Sequence, residues 1–109
     1  MKPEDAAQSI RDNAPAYGKA KGQRVYIEEY RKTKKALLMS QAHQKGIKTT
    51  SAQEREAYAD PSYTELLKGL AAAIEAEEVL KWEMEAARLD IEIFRTREAT
   101  NRMQDRAHQ

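Results

Sequence analysis

The strongest constraint on this chain is the stretch from Pro61 to about Asp105, which contains no helix breaker except Gly69. A helix of more than 40 residues would run roughly 60 Å at 1.5 Å per residue, and it needs a partner along its whole length. Its apolar positions provide for one. Tyr63, Leu66, Leu70, Ala73, Leu80, Met84, Ala87, Ile91 and Phe94 recur in alternating steps of three and four, interrupted only by Glu77. That spacing is a heptad seam. A second apolar series, Val79, Trp82, Ala86, Leu89 and Ile93, lies roughly 140° around the same helix at about 100° per residue. On one side the two series are separated by a charged ridge of Lys81, Glu85, Arg88, Glu92 and Arg95, with opposite charges at helical neighbour spacing.

The rest of the chain supplies the first partner. Pro3, with Glu4 and Asp5 in the first turn, predicts a short helix over 3–12, and Asn13-Ala14-Pro15 predicts an interruption. A long helix follows over 15–44, with Ile27, Tyr30, Leu37 and Leu38 as its apolar stripe. Lys45 and then Gly46, free to take a left-handed cap, mark its end and open a turn over 45–51. Ser51 and Glu54 have capping-box spacing and predict a short helix over 52–59. Asp60 can then cap, and Pro61 start, the last helix over 61–105.

The expected fold is therefore all-α and a single helical domain: a long antiparallel helical hairpin with short flanking helices. Residues 79–94 are apolar on two faces, and one hairpin covers only one of them. A homodimer closing into a four-helix bundle is the simplest way to bury Val79, Trp82, Ala86, Leu89 and Ile93. The alternative is that the short helices fold back over that face. Trp82 is either an anchor of the self-interface or a contact for a different protein.

Composition narrows function mainly by exclusion. The chain has no cysteine, which rules out disulfides, thiolate metal sites and thiol nucleophiles. His43 and His108 are the only histidines, and neither has the neighbours of a metal ligand. Ser9, Ser40, Ser51 and Ser62 lack the strand–turn–helix context of a nucleophile, so no enzyme activity and no cofactor is expected. Gly18-Lys19-Ala20-Lys21-Gly22 superficially resembles a phosphate loop but lacks its full spacing and its preceding strand. No apolar run is long enough for a membrane span or a secretory signal, so a cytoplasmic location is expected.

The net charge of +1 conceals an asymmetry. Residues 1–50 hold 11 Lys and Arg against 5 Asp and Glu, a balance of +6, while residues 51–109 hold 8 against 13, a balance of −5. Two antiparallel helices of opposite sign could simply attract each other. The other reading is a basic surface for an anionic partner. Lys19, Lys21, Arg24, Arg31, Lys32, Lys34 and Lys35 are interleaved with Tyr17, Tyr26 and Tyr30, as in proteins that pair cations with phosphates and stack rings on bases. Glu77 interrupts one seam and Lys34 the other, so a buried Glu77–Lys34 pair is expected to set their register.

The run Arg24-Val25-Tyr26-Ile27-Glu28-Glu29-Tyr30-Arg31-Lys32-Thr33-Lys34-Lys35-Ala36-Leu37-Leu38-Met39 resembles a group of small helical proteins of tailed bacteriophages and prophages. So do Tyr58-Ala59-Asp60-Pro61-Ser62-Tyr63 and Ile91-Glu92-Ile93-Phe94-Arg95. The resemblance covers most of the chain from Ala14 onward. Genes of that group tend to lie among early recombination and replication genes, which implies a role in DNA metabolism inside a bacterial host. It carries no activity and no catalytic residues. Two functions are therefore expected: an accessory protein binding single-stranded DNA or a DNA-bound protein, or an inhibitor or adaptor directed at a host enzyme.

Overall fold

A computed structural model describes residues 1–108. It contains three helices: α1 (Pro3–Gln44), α2 (Thr50–Ala59) and α3 (Pro61–Ala107). There is no strand among the described residues. The chain divides into two compact units: a terminal unit of Met1–Gly18 with the chain from Glu78 onward, and a central unit of Lys19–Glu77.

In the central unit, α1 and α3 run antiparallel, since Arg24 meets Glu77 while Leu38 packs with Tyr63. The seam is built as the heptad spacing requires. Tyr63 and Leu70 are buried, Leu66 and Ala73 are half-buried, and α2 lays Ala57 against Leu38, Tyr63 and Met39. On α1 the inward residues are Ala20, Arg24, Ile27, Lys34 and Leu38, with Tyr30 half-buried beside them. Leu37, expected in that stripe, is instead half exposed, because it stands one residue round the helix from Leu38.

The junctions explain how α2 is placed. Gly46 ends α1 with φ +99°, a left-handed conformation that glycine adopts without a steric penalty. The Gly46 amide donates to the His43 carbonyl at 3.0 Å and the Ile47 amide to the Ala42 carbonyl at 3.1 Å, which satisfies the helix end. The expected Ser51–Glu54 capping box is not formed. Thr49 caps α2 instead, its hydroxyl accepting from the Ala52 amide at 3.3 Å. With Thr49 as the cap, Ser51 lies inside α2 and Glu54 beyond its first turn, so that box has no helix end to close, and the Glu54 carboxylate reaches Lys35 on α1. Asp60 ends α2 and starts α3, its carboxylate accepting from the Ser62 amide at 2.8 Å and the Ser62 hydroxyl at 2.6 Å.

In the terminal unit, α1 does not break at Pro15 as expected but continues as one helix from Pro3. Ala6, Ile10, Asn13 and Tyr17 keep a single inward face in steps of three and four, and Ala6 is fully buried. Tertiary packing on both sides of Pro15 thus outweighs the local preference against helix at Ala14. Ala87 is buried here, while Leu80, Met84 and Ile91 are half-buried, so the α3 seam faces inward as far as Ile91; Phe94, expected to continue it, is exposed. α3 remains helical to Ala107, although every side chain from Glu92 to His108 is exposed.

The buried apolar residues are few and small. Five are alanines, joined by Leu38, Tyr63 and Leu70. Among the described residues no large side chain is fully buried, and 13 large hydrophobics are exposed. So thin a core leaves much apolar surface unburied in the single chain.

Candidate nucleic-acid interface

The seven expected basic residues do not form one uninterrupted face. Arg24 is withdrawn into the helix pair, where its Nε and Nη2 donate to the two oxygens of Glu77 and its Nη1 donates to Glu28 at 3.0 Å. Glu77 is 7% exposed, and its expected partner, Lys34, is replaced by Arg24. The planar guanidinium presents two parallel N–H groups to a carboxylate, which an ammonium cannot do. These hydrogen bonds, to Glu77 first and Glu28 second, raise the Arg24 pKa further above its already high value.

Lys19 lies elsewhere, along an apolar groove of about 740 Å³ whose floor is small: Gly22, Gly69, Ala72, Ala73 and Ala76, with Tyr26 and Ile27 at its wall. Lys21 is exposed. Lys34 is half-buried; hydrogen bonds from Ser62 chiefly hold the Asp60 carboxyl below its ordinary range, and the charges of Lys34 and Lys45 add to them.

The remaining three, Arg31, Lys32 and Lys35, converge with Tyr58 and Tyr63 around a concavity of about 360 Å³. Their helical spacing brings the three cations to one flank of α1. Only the fold adds the rings, because Tyr58 comes from the last turn of α2 and Tyr63 from the first turn of α3. The Tyr58 and Tyr63 rings meet edge to face, 5.3 Å between centroids at 70°. Tyr63 is buried, so it holds Tyr58, which is 49% exposed, in a fixed orientation. Lys35 Nζ sits 5.0 Å from the centre of the Tyr58 ring and donates to Glu54 at 2.7 Å. That carboxylate, then the Tyr58 hydroxyl, raises the Lys35 pKa above the usual lysine value.

Reading α1 alone pointed to Tyr17, Tyr26 and Tyr30 as the aromatic partners. Tyr26 and Tyr30 do stack on each other, 6.1 Å apart and nearly parallel, but neither lines the concavity. In the sequence Tyr63 stands at the head of the α3 seam and Tyr58 just before Asp60-Pro61. Nothing in that spacing reveals that a turn would carry them back to Arg31 and Lys35.

The second candidate surface is in the terminal unit. Val79, Trp82, Ala86, Leu89 and Ile93 are all exposed, and Trp82 is 62% exposed. The short elements therefore do not fold back over this stripe. Trp82 Nε1 donates to Glu78 at 3.0 Å, and Lys81 Nζ lies 5.7 Å from the ring centre. The charged ridge on the other side of α3 is paired within itself, through Arg88–Glu85 at 3.0 Å and Arg95–Glu92 at 3.5 Å.

No three metal-ligating side chains converge among the described residues, and no helix of the structure is long and apolar enough to cross a membrane. Comparison with known protein families, with curated proteins and with solved structures returned no match.

Proposed function

We propose that this chain is a non-enzymatic helical protein that holds single-stranded nucleic acid, acting as an accessory of phage DNA recombination or replication in the bacterial cytoplasm. One observation carries this reading: the concavity that gathers Arg31, Lys32 and Lys35 around the oriented, half-exposed ring of Tyr58. Cations at successive positions along a helix suit the repeating phosphates of a strand. A ring fixed beside them gives an unpaired base a face to stack on, whichever base it is. A duplex, whose bases are already stacked, gains nothing from Tyr58. The resemblance to phage early proteins directs the reading to DNA. Binding of a labelled oligothymidylate, followed by anisotropy as salt is raised, tests it. Affinity must be measurable at low salt, fall as salt rises, and weaken when Tyr58 is replaced by alanine.

The proposal includes assembly. Two copies would associate through Val79, Trp82, Ala86, Leu89 and Ile93 into a four-helix bundle, burying apolar surface that a single chain leaves open. The exposure of Trp82 also favours a second reading, a protein-binding inhibitor or adaptor directed at a host enzyme through the same stripe. Light scattering separates the two. A dimer that becomes a monomer on Trp82→Ala assigns the stripe to self-association, and a wild-type monomer assigns it to another protein.

A further inference from the structure

Of the three cations in the concavity, only Lys35 is held by a carboxylate from another helix. Its Nζ donates to Glu54 at 2.7 Å. Lys32 reaches only Glu29 on its own helix, at 3.6 Å and with both side chains largely exposed. Arg31 shows no ion pair among the described residues and is exposed. Glu54 stands on the ten-residue α2, which Thr49 caps, and its carboxylate crosses to Lys35 on α1.

A carboxylate and a phosphodiester look alike to an ammonium group. Each offers charged oxygens that accept at the same short distance. The Lys35 ammonium also lies over the Tyr58 ring, 5.0 Å from its centre, so the cation and the stacking surface adjoin. We propose that Glu54 is an internal stand-in for a strand phosphate: it occupies Lys35 in the free protein, and a bound strand displaces it. This rests on the single-strand reading of the concavity. It adds selectivity to that reading. An isolated phosphate would meet Lys35 already neutralised. A strand, first caught by Arg31 and Lys32, presents its next phosphate to Lys35 at high effective concentration and can exchange with Glu54.

The test is anisotropy with labelled oligothymidylate on the full chain, comparing wild type, Glu54→Gln, Glu56→Gln, Lys35→Met and the Lys35→Met/Glu54→Gln pair. Glu56 is exposed on the same helix and removes the same charge without touching the concavity. Glu54→Gln should tighten binding about five- to tenfold, the gain expected if Lys35 is free only a tenth to a fifth of the time. Glu56→Gln should change it by less than about twofold, because its charge is exposed and screened. In the Lys35→Met background, Glu54→Gln should give no gain. Unchanged or weaker binding by Glu54→Gln, or a gain that survives loss of Lys35, overturns the stand-in while leaving the single-strand reading intact. Absence of wild-type binding at low salt overturns both. Glu54→Ala repeats the measurement with a different side chain, and unchanged circular dichroism establishes that α2 is retained.

Discussion

Arg24 on α1 grips both oxygens of the Glu77 carboxylate on α3, and this one pair answers the only charge set into the α3 seam. Neither residue tolerates the loss of the other, since a buried carboxylate without its cation is worse than no carboxylate. Glu77→Leu and Arg24→Leu should each lower the melting temperature by several degrees. The Arg24→Leu/Glu77→Leu double replacement should recover the loss, because an apolar pair of similar size needs no desolvation of charge. A thermal-melt double-mutant cycle reads this directly. Additive losses in the double variant would mean that the pair does not act as a unit.

Among the described residues Gly46 is the one with a left-handed backbone, and the space around it is open, so backbone conformation alone decides what it tolerates. Gly46→Ala should destabilise the chain by about 1–2 kcal/mol, the cost of placing an L side chain in that conformation. By contrast Gly18, Gly22 and Gly69 have ordinary backbone and nothing within 4 Å of an added Cβ. Alanine there should stabilise each helix, by up to about 1 kcal/mol. Urea denaturation of the four single variants checks both signs.

The Asp60 cap makes stability depend on acid. Hydrogen bonds from Ser62, first the hydroxyl and then the amide, hold its carboxyl below the ordinary value of 3.8. The folded protein thus binds that proton less readily than the unfolded chain. The contribution is therefore full above about pH 4 and is lost as pH falls through the lowered value. Wild type should lose melting temperature below about pH 4 more steeply than Asp60→Ala, and the variant should already melt lower at neutral pH. Parallel curves for the two proteins would remove Asp60 as the source.

The outer stripe of α3 gives a prediction about assembly. Trp82→Ala and Leu89→Ala should each raise the dimer dissociation constant by at least about tenfold while leaving helical content unchanged, as expected for central apolar contacts. Sedimentation across a concentration series measures this. A wild-type chain that stays monomeric throughout would contradict the bundle.

The legible part of this protein was whatever depends on residues close in sequence. The α3 seam as far as Ile91, the stop at Gly46 and the helix start at Asp60-Pro61 all follow from local spacing and backbone chemistry, and all are present. The misreadings came where distant residues compete. Pro15 is carried through a helix because Ala6 and Tyr17 are packed on either side of it. The Ser51–Glu54 box is absent because α2 starts earlier, capped by Thr49, and Glu54 in its second turn meets Lys35 across the turn. Glu77 takes Arg24 rather than Lys34 because the antiparallel register sets Arg24 opposite it, where the guanidinium fits both carboxylate oxygens. The concavity follows the same rule: its cations were visible on α1, and its rings were not, since they arrive from two other helices.

Single-strand binding is tested most directly by the salt dependence of oligothymidylate affinity for wild type and for the Arg31→Ala/Lys32→Ala double variant. For three phosphate contacts, log affinity should fall against log salt with a slope of about −2, and the double variant should bind more weakly with a slope of about −0.7. Circular dichroism should be the same for both proteins, since both side chains are exposed. No binding at low salt, or a double variant that binds like wild type with the same slope, would contradict the account.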